Sequence, residues 1–250
     1  MRNLKRTLSL ALASVMLVGM MSVGASAVNA SDFTDADEIV NKDAVSTMTA
    51  LGIINGKEDG SYFDPTGTVT RAEMAKMLCV AINGGVDPVL GVKDTPTFTD
   101  IKGHWAESYI EYCAANGIIA GRGNNKFDPT GTVSATEAAK MLLGVLGYSA
   151  EKSGLVGNDW AINTNVLANQ NGLYKNLSNL NANTLLTRDN AAQMIYNALD
   201  ANMVELNAAG NYTTSQYSYT GTESVVTGTE RVWVLTIKEN NCTDSGIKAA

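Results

Sequence analysis

The sequence predicts a mainly α-helical fold of three consecutive helix-loop-helix units, followed by a short β-rich tail. One heptapeptide, Phe-Asp-Pro-Thr-Gly-Thr-Val, occurs at residues 63–69 and again at 127–133. Apolar residues recur at helical spacing on either side of both copies. Self-similarity at a spacing of this size is typical of repeat architectures.

Other segments recur in the same order around the heptapeptide. Phe-Thr-Asp at 33–35 returns at 98–100, and Gly-Ile-Ile at 52–54 returns at 117–119. A third, weaker copy follows, because Trp160 precedes Gly172 by the same 12 residues that separate Trp105 from Gly117. The segment 187–190 then stands where 70–73 stands in the first copy. Three related units are therefore predicted.

Within each unit, caps define the predicted helix ends. Gly117 is well placed to end the first helix of the second unit in a left-handed conformation. Thr70 with Glu73, and Ser134 with Glu137, form the capping-box pattern that opens a second helix. The apolar stripes of these second helices are too wide for one helix pair to bury, so the three units are expected to pack them together.

The predicted domain organisation follows from these copies. It comprises a signal peptide (1–27), a first unit (31–88), a second unit (96–149), a degenerate third unit (150–205) and a β-rich tail (206–250), which is short enough to be the start of a truncated region. Strands are expected at 213–219 and 231–238, around a Gly-Thr-Glu turn region.

The first residues have the order typical of a secretory signal: basic residues, an apolar run and a small-residue Ala-Ser-Ala site at 25–27. The mature chain is expected to start at Val28, with a cut after Ala30 as the alternative. Removing the three basic residues of the signal from the 18 lysines and arginines leaves 15 against 25 acidic residues, a net charge of −10. This charge disfavours nucleic acid and anionic membrane as partners, and we expect a secreted protein.

The cysteines and the single histidine do not predict a metal site. Cys79, Cys113, Cys242 and His104 lack metal-ligand spacing. Cys79 and Cys113 lie among apolar residues of predicted helices, so we predict buried free thiols there. No metal and no other cofactor is expected.

The repeated motifs, taken together and in order, resemble the S-layer homology (SLH) family over residues 32–203. The resemblance is carried by Phe-Thr-Asp, by His-Trp-Ala at 104–106, by Gly-Ile-Ile, by the Phe-Asp-Pro loop and by Thr-Arg-Ala-Glu at 70–73. It implies three SLH repeats in a pseudo-threefold spindle with a central helical bundle. It also implies non-covalent binding of anionic secondary cell wall polymer, often pyruvylated, between repeats, and a location at the cell wall or S-layer.

The repeats depart from that pattern at several positions. Ile39 and Val40 stand where His104 and Trp105 stand in the second repeat, and Ala135 stands where the motif arginine is expected. The third repeat has Ser-Gly-Leu at 153–155 in place of Phe-Thr-Asp. Three equal sites are therefore not expected.

Arginines at helix starts are the first candidates for binding an acidic sugar. Free amides and the helix dipole favour an anion there, and a guanidinium adds a bidentate fork. The tryptophans offer flat apolar faces to sugar rings, although a core role is equally compatible with the sequence, and helix capping is the stronger explanation for the threonines and the glutamate. The candidate ligand-binding residues are Arg71, Arg188, Trp105, Trp160, Thr70, Glu73 and Thr187.

Three functions are compatible with this pattern. The first is a non-catalytic module that anchors a secreted protein to the wall. The second is a structural subunit of an S-layer lattice, which self-associates. The third, a wall-glycan hydrolase that uses two carboxylates, is disfavoured because the chain carries no nucleophile elbow, no His-Glu-x-x-His and no phosphate loop.

Overall fold

The protein is mainly helical. The computed structural model describes residues 28–177, 180, 183–214, 217–225 and 231–239, the last two ranges for their backbone alone. Two short 3₁₀ helices, Ala30–Asp32 and Ala36–Glu38, precede the first α-helix. The α-helices of the described residues are α1 (Lys42–Ala50), α2 (Arg71–Ile82), α3 (Glu107–Ala115), α4 (Ala135–Val145), α5 (Trp160–Gln170) and α6 (Arg188–Leu199).

The helices pair between units as well as following one another along the chain. The second helix of one unit packs against the first helix of the next: α2 on α3, and α4 on α5. Helix α6 closes the series by packing on α1. The second helices also touch each other, α4 lying against both α2 and α6. The predicted helical class and helix-loop-helix order are thus confirmed.

The segments just before α2, α4 and α6 form a closed ring of backbone hydrogen bonds. The Val69 N–H donates to the Leu186 carbonyl (2.9 Å), Leu186 donates to Val133 (2.8 Å), and Val133 donates back to Val69 (3.0 Å). Each segment donates one of these hydrogen bonds and accepts another, so the three segments are joined in a ring in which these backbone groups are all paired.

A second set of bonds satisfies the first amides of α2, α4 and α6, which have no partner within their own helices. The N–H of Arg71 donates to Gly131 O (2.9 Å), that of Ala135 to Thr184 O (3.0 Å), and that of Arg188 to Gly67 O (2.9 Å). The helix starts are therefore fixed by the loops of neighbouring units.

The predicted caps are confirmed. Both Thr70–Glu73 and Ser134–Glu137 form capping boxes, and Gly117 has a φ of 71° after the last turn of α3. The N–H of Ile118 then donates to Cys113 O at 2.9 Å, which is the six-to-one bond of a Schellman cap. A positive φ at this place favours glycine.

One apolar core runs through all the units. It contains Phe63 and Phe127, the phenylalanines of the two recurring Phe-Asp-Pro loops, and both are fully buried. Cys79 and Cys113 are buried free thiols, as predicted. Cys242 lies outside the described residues.

The β-rich tail differs in detail from the prediction. The range expected as one strand at 213–219 contains residues of two strands with different partners: β2 (Tyr212–Thr214) pairs with β1 (Val204–Leu206), while β3 (Tyr217–Val225) pairs with β4 (Arg231–Glu239), both antiparallel. The strand expected at 231–238 is confirmed. Periodicity missed β1 because three residues are too few to produce a pattern.

The β1–β2 hairpin contacts the helical region. Val204 N–H donates to Leu146 O (2.7 Å) at the end of α4, and the Tyr212 ring packs on Tyr148 with centroids 5.1 Å apart. The short β1–β2 hairpin is thereby held against the helices. Among the described residues, no helix is long and apolar enough to cross a membrane.

Candidate functional site

The guanidinium of Arg188 links the third unit to the first. Its Nε donates to Phe63 O (2.7 Å) and its Nη2 to Asn55 O (2.8 Å), and its Cζ lies 5.0 Å from the centroid of the Phe63 ring. The residue is only 5% exposed. Arg188 is therefore buried against backbone carbonyls of the first unit rather than solvated at the surface.

Arg71 makes the same contacts one unit further along. Its Nε donates to Phe127 O (2.8 Å), its Nη2 to Ala120 O (2.6 Å), and it covers the Phe127 ring at 4.4 Å. Glu137 Oε1 lies 3.4 Å from Nη1. Burial lowers the pKa of Arg71 to about 10, against a smaller opposing effect of Glu137. The group is strongly desolvated.

The Phe-Thr-Asp motif holds the loop that these arginines contact. Asp35 accepts the amides of Phe63 (2.9 Å) and Asp64 (2.7 Å). Asp100 accepts those of Phe127 and Asp128 at 2.9 and 2.8 Å. Although burial acts to raise it, the pKa of Asp100 is lowered by these amide donors. Sequence motifs far apart along the chain therefore form one contact network: aspartate, Phe-Asp-Pro loop and the arginine of another unit.

A groove of about 190 Å³ lies where α2, the turn after α1, and Trp105 meet. We call it position A. Its lining includes Lys76 and Glu73 from α2, Trp105 from the second unit and Arg188 from the third. Trp105 is 56% exposed, so its ring is open to solvent.

Lys76 was not identified from the sequence. Its Nζ lies 3.0 Å from Asp87 Oδ2 and 5.5 Å from the centroid of the Tyr109 ring, and that ring packs on Trp105 (6.4 Å). Asp87 also accepts from the Tyr109 hydroxyl at 2.6 Å, and burial followed by this bond raises the pKa of Tyr109 to about 12. The ammonium is thus held between Asp87 and the Tyr109 ring and remains partly exposed.

The equivalent place in the next unit, position B, repeats this chemistry. Lys140 stands five residues into α4, as Lys76 does in α2, and its Nζ lies 5.3 Å over the Trp160 ring. Arg71 occupies the place at position B that Arg188 occupies at position A, and its Nη2 donates to Ala120 O. Burial lowers the pKa of Lys140, an effect that Arg71 adds to and Glu151 opposes.

Position C, the third equivalent place, is chemically different. It has Gln193 for the lysine, Val40 for the tryptophan and Ala135 for the arginine. Asn197 supplies the missing donor: its Nδ2 bonds Lys175 O (2.7 Å) and Leu173 O (3.1 Å). Gln193 in turn donates to Asn197 Oδ1 (2.8 Å) and is buried.

Position C also carries a buried acid. The Asp189 carboxylate accepts from the Asn41 amide N–H (3.1 Å) and side chain (2.6 Å). Burial raises the pKa of Asp189, and these bonds only partly offset it. The arrangement is a closed polar contact between α6 and the start of α1.

The remaining candidates from the sequence are helix caps. Thr70 accepts from Glu73 N–H (3.2 Å), and Glu73 Oε2 accepts both the N–H and the hydroxyl of Thr70 at 2.8 Å. Thr187 accepts from Asn190 N–H at 3.2 Å. Glu73 alone of these three also lines position A. Across the described residues, no group of three or more His, Cys, Asp or Glu side chains is placed to hold a metal ion.

Comparison with known proteins identifies the repeated motifs. The model of the S-layer homology domain matches residues 32–75 and 97–139. A cell surface protein of Thermoanaerobacter kivui is 28% identical over 207 residues, which cover 82% of this chain and 26% of that protein. An S-layer protein of Bacillus licheniformis is 30% identical over 45% of this chain and 12% of its own length.

The exoglucanase XynX of Acetivibrio thermocellus is 28% identical over 58% of this chain and 14% of its own length. This chain therefore spans no more than about a quarter of these relatives. The two matched segments lie in the first and second units, and the third helix pair is outside them. The two segments that match the S-layer homology domain contain α1, α3 and the starts of α2 and α4, with Arg71 and Trp105, and they end just before Lys76 and Lys140.

Proposed function

We propose that the protein is a non-catalytic module that anchors itself, and whatever it is joined to, on the bacterial cell wall by binding an anionic wall polymer. S-layer homology domains anchor proteins to the cell wall, and relatives are cell surface and S-layer proteins. The observation that carries the proposal is that a lysine and a tryptophan recur together: Lys76 and Trp105 line the same groove, and Lys140 lies over the Trp160 ring.

We further propose that residues 150–205 act as a third, degenerate repeat. The reciprocal bonds among Val69, Val133 and Leu186 support this, as do the equivalent amide bonds of Arg71, Ala135 and Arg188. In that arrangement the three units form a pseudo-threefold spindle around α2, α4 and α6. Positions A, B and C are then the three grooves between successive units.

The charge pattern favours binding at A and B. An acidic sugar needs a cation that it can reach and an aromatic face for its ring. Lys76, which is ion-paired with Asp87 in position A, and Lys140 provide the ammonium groups, while the buried arginines add positive potential behind them. Screening over roughly 8 Å limits repulsion by the distant carboxylates of the negatively charged chain. Position C has neither the lysine nor the tryptophan, and Asp189 opposes an anion there.

Sedimentation with isolated wall sacculi tests the proposal. The mature chain should pellet with the sacculi, and should stay in solution after the polymer is chemically stripped. Lys76→Gln with Lys140→Gln copies the glutamine that position C has naturally. Each lost charge-assisted contact should weaken binding by about tenfold or more. A folded double variant that pellets like the parent would remove both lysines from the site.

The matched control is Lys42→Gln with Lys126→Gln, which removes the same charge from two exposed lysines outside positions A and B. It should pellet like the parent chain. Arginine variants are a poorer test, because Arg71→Ala and Arg188→Ala also remove contacts between units. Circular dichroism of every variant establishes that it is folded.

Assembly into an S-layer lattice is the second candidate. It is favoured by the relatives that are S-layer proteins, including that of Bacillus licheniformis. A lattice subunit would form ordered sheets visible by electron microscopy after refolding, whereas an anchor alone would bind sacculi without forming sheets. Release of soluble sugars from sacculi would instead indicate a hydrolase.

A further inference from the structure

Two thiols from different units meet in the core. Cys79 on α2 and Cys113 on α3 are both buried, and their Sγ atoms lie 3.4 Å apart. Sulfur atoms bonded in a disulfide are about 2.05 Å apart. The two atoms are therefore in van der Waals contact, with no group between them.

The surrounding contacts hold both sulfurs at the interface of the two helices. Cys79 Sγ lies 3.6 Å from Tyr109 O on α3, and Cys113 Sγ lies 3.7 Å from Ala75 O on α2. Each thiol thus touches the backbone of the opposite helix, and α2 and α3 are packed directly on each other. For a bond to form, the two sulfur atoms would have to approach by roughly 1.3 Å.

We propose that Cys79 and Cys113 form a disulfide when the chain folds outside the cell, covalently joining the first unit to the second. The oxidant is a small-molecule or protein disulfide. One cysteine thiolate attacks it and releases one thiol, and the other thiolate attacks the resulting mixed disulfide and releases the second. Two cysteine thiols and one oxidant disulfide give one S–S bond and two oxidant thiols.

The burial of the two thiols determines when a disulfide between them can form. The hydrogen bond with Cys79, followed by burial, raises the pKa of Cys113 well above its usual value. The thiolate of Cys113, its reactive form, is therefore scarce in the folded chain at neutral pH. Bond formation is expected while the chain folds, when an oxidant still reaches the sulfurs.

The test uses residues 28–250 with Cys242→Ser, so that only two cysteines remain. The protein is refolded from denaturant with oxidised plus reduced glutathione, or with reduced glutathione alone. The oxidised sample should be two hydrogens lighter, titrate no thiols after denaturation, and give one joined peptide containing both cysteines. The closed loop spans 34 residues, so the melting temperature should rise by about 5 to 15 °C.

Two results would overturn the inference. One is a native-like oxidised sample that still titrates two thiols. The other is glutathione attached to the cysteines without a joined peptide. Cys79→Ser with Cys113→Ser, in the same Cys242→Ser chain, is the control: its melting temperature should be the same under both refolding conditions. All readouts are independent of wall binding.

Discussion

Replacing Arg188 by alanine should weaken the contact between the third unit and the first and so destabilise the fold. The substitution removes the bonds to Phe63 O and Asn55 O and the contact with the Phe63 ring. Hydrogen bonds from a charged donor contribute roughly 1.5 to 3 kcal/mol each. Burying the guanidinium costs part of that gain, as the lowered pKa of Arg188 indicates. We expect a net loss of about 2 to 4 kcal/mol in the free energy of unfolding.

Urea unfolding followed by tryptophan fluorescence measures this loss. With a urea dependence of roughly 2 kcal/mol per molar, the midpoint should fall by about 1 to 2 M. Arg122→Ala is the matched control. Arg122 bonds Glu137, Asp128 and Thr132, yet its side chain is 34% exposed, so it should cost about 1 kcal/mol or less. Equal midpoints for parent and Arg188→Ala would refute the view that burial, rather than the number of bonds, sets the energy.

Three further outcomes follow from the same structure. Asn197→Ala should lower the free energy of unfolding by about 1 to 3 kcal/mol, because Lys175 O and Leu173 O lose their donor; urea unfolding measures it, and an unchanged midpoint contradicts it. Because the pKa of Asp100 is lowered in the fold, its ionised form stabilises the fold above pH 3.8, the ordinary value, and this contribution is lost as pH falls through the lower folded value. Asp100→Asn should therefore destabilise the chain at neutral pH. In thermal melts at acid pH, the stability of this variant should depend less on pH than that of the parent. Gly147→Ala places a Cβ 2.0 Å from Val204 O at a φ of 99°, so amide exchange at Val204 should become faster while the core amides of α4 stay protected.

Local patterns were enough to predict the helices. The capping boxes, the glycine at 117 and the recurring heptapeptide each depend on neighbours along the chain, and the structure has them where they were expected. The β1–β2 hairpin was not predicted, because its strands are short and are held by contacts with Leu146 and Tyr148. Such contacts have no signature in the local sequence.

The site was harder to predict than the fold. The arginines stood out by their repeated position, but their burial depends on which loop each one reaches, and that loop belongs to another unit. Lys76 and Lys140 do not belong to any of the recurring motifs in the sequence. Aligning the second helices by their arginine or alanine would have placed Lys76, Lys140 and Gln193 in register, and this register is the signal that was available.

The alanine at 135, where the motif arginine is expected, has a structural counterpart in the third unit. Each unit has a backbone carbonyl, at Asn55, Ala120 or Lys175, that points to the neighbouring second helix and needs a donor. Arginines from other units satisfy the first two, whereas Asn197, from the same unit, satisfies the third. An arginine that arrives from outside brings charge to the groove, while an asparagine from within does not. The carbonyl of the third unit is therefore satisfied without a cation: at position C, Asn197 keeps the hydrogen bond to Lys175 O but adds no positive charge to the groove.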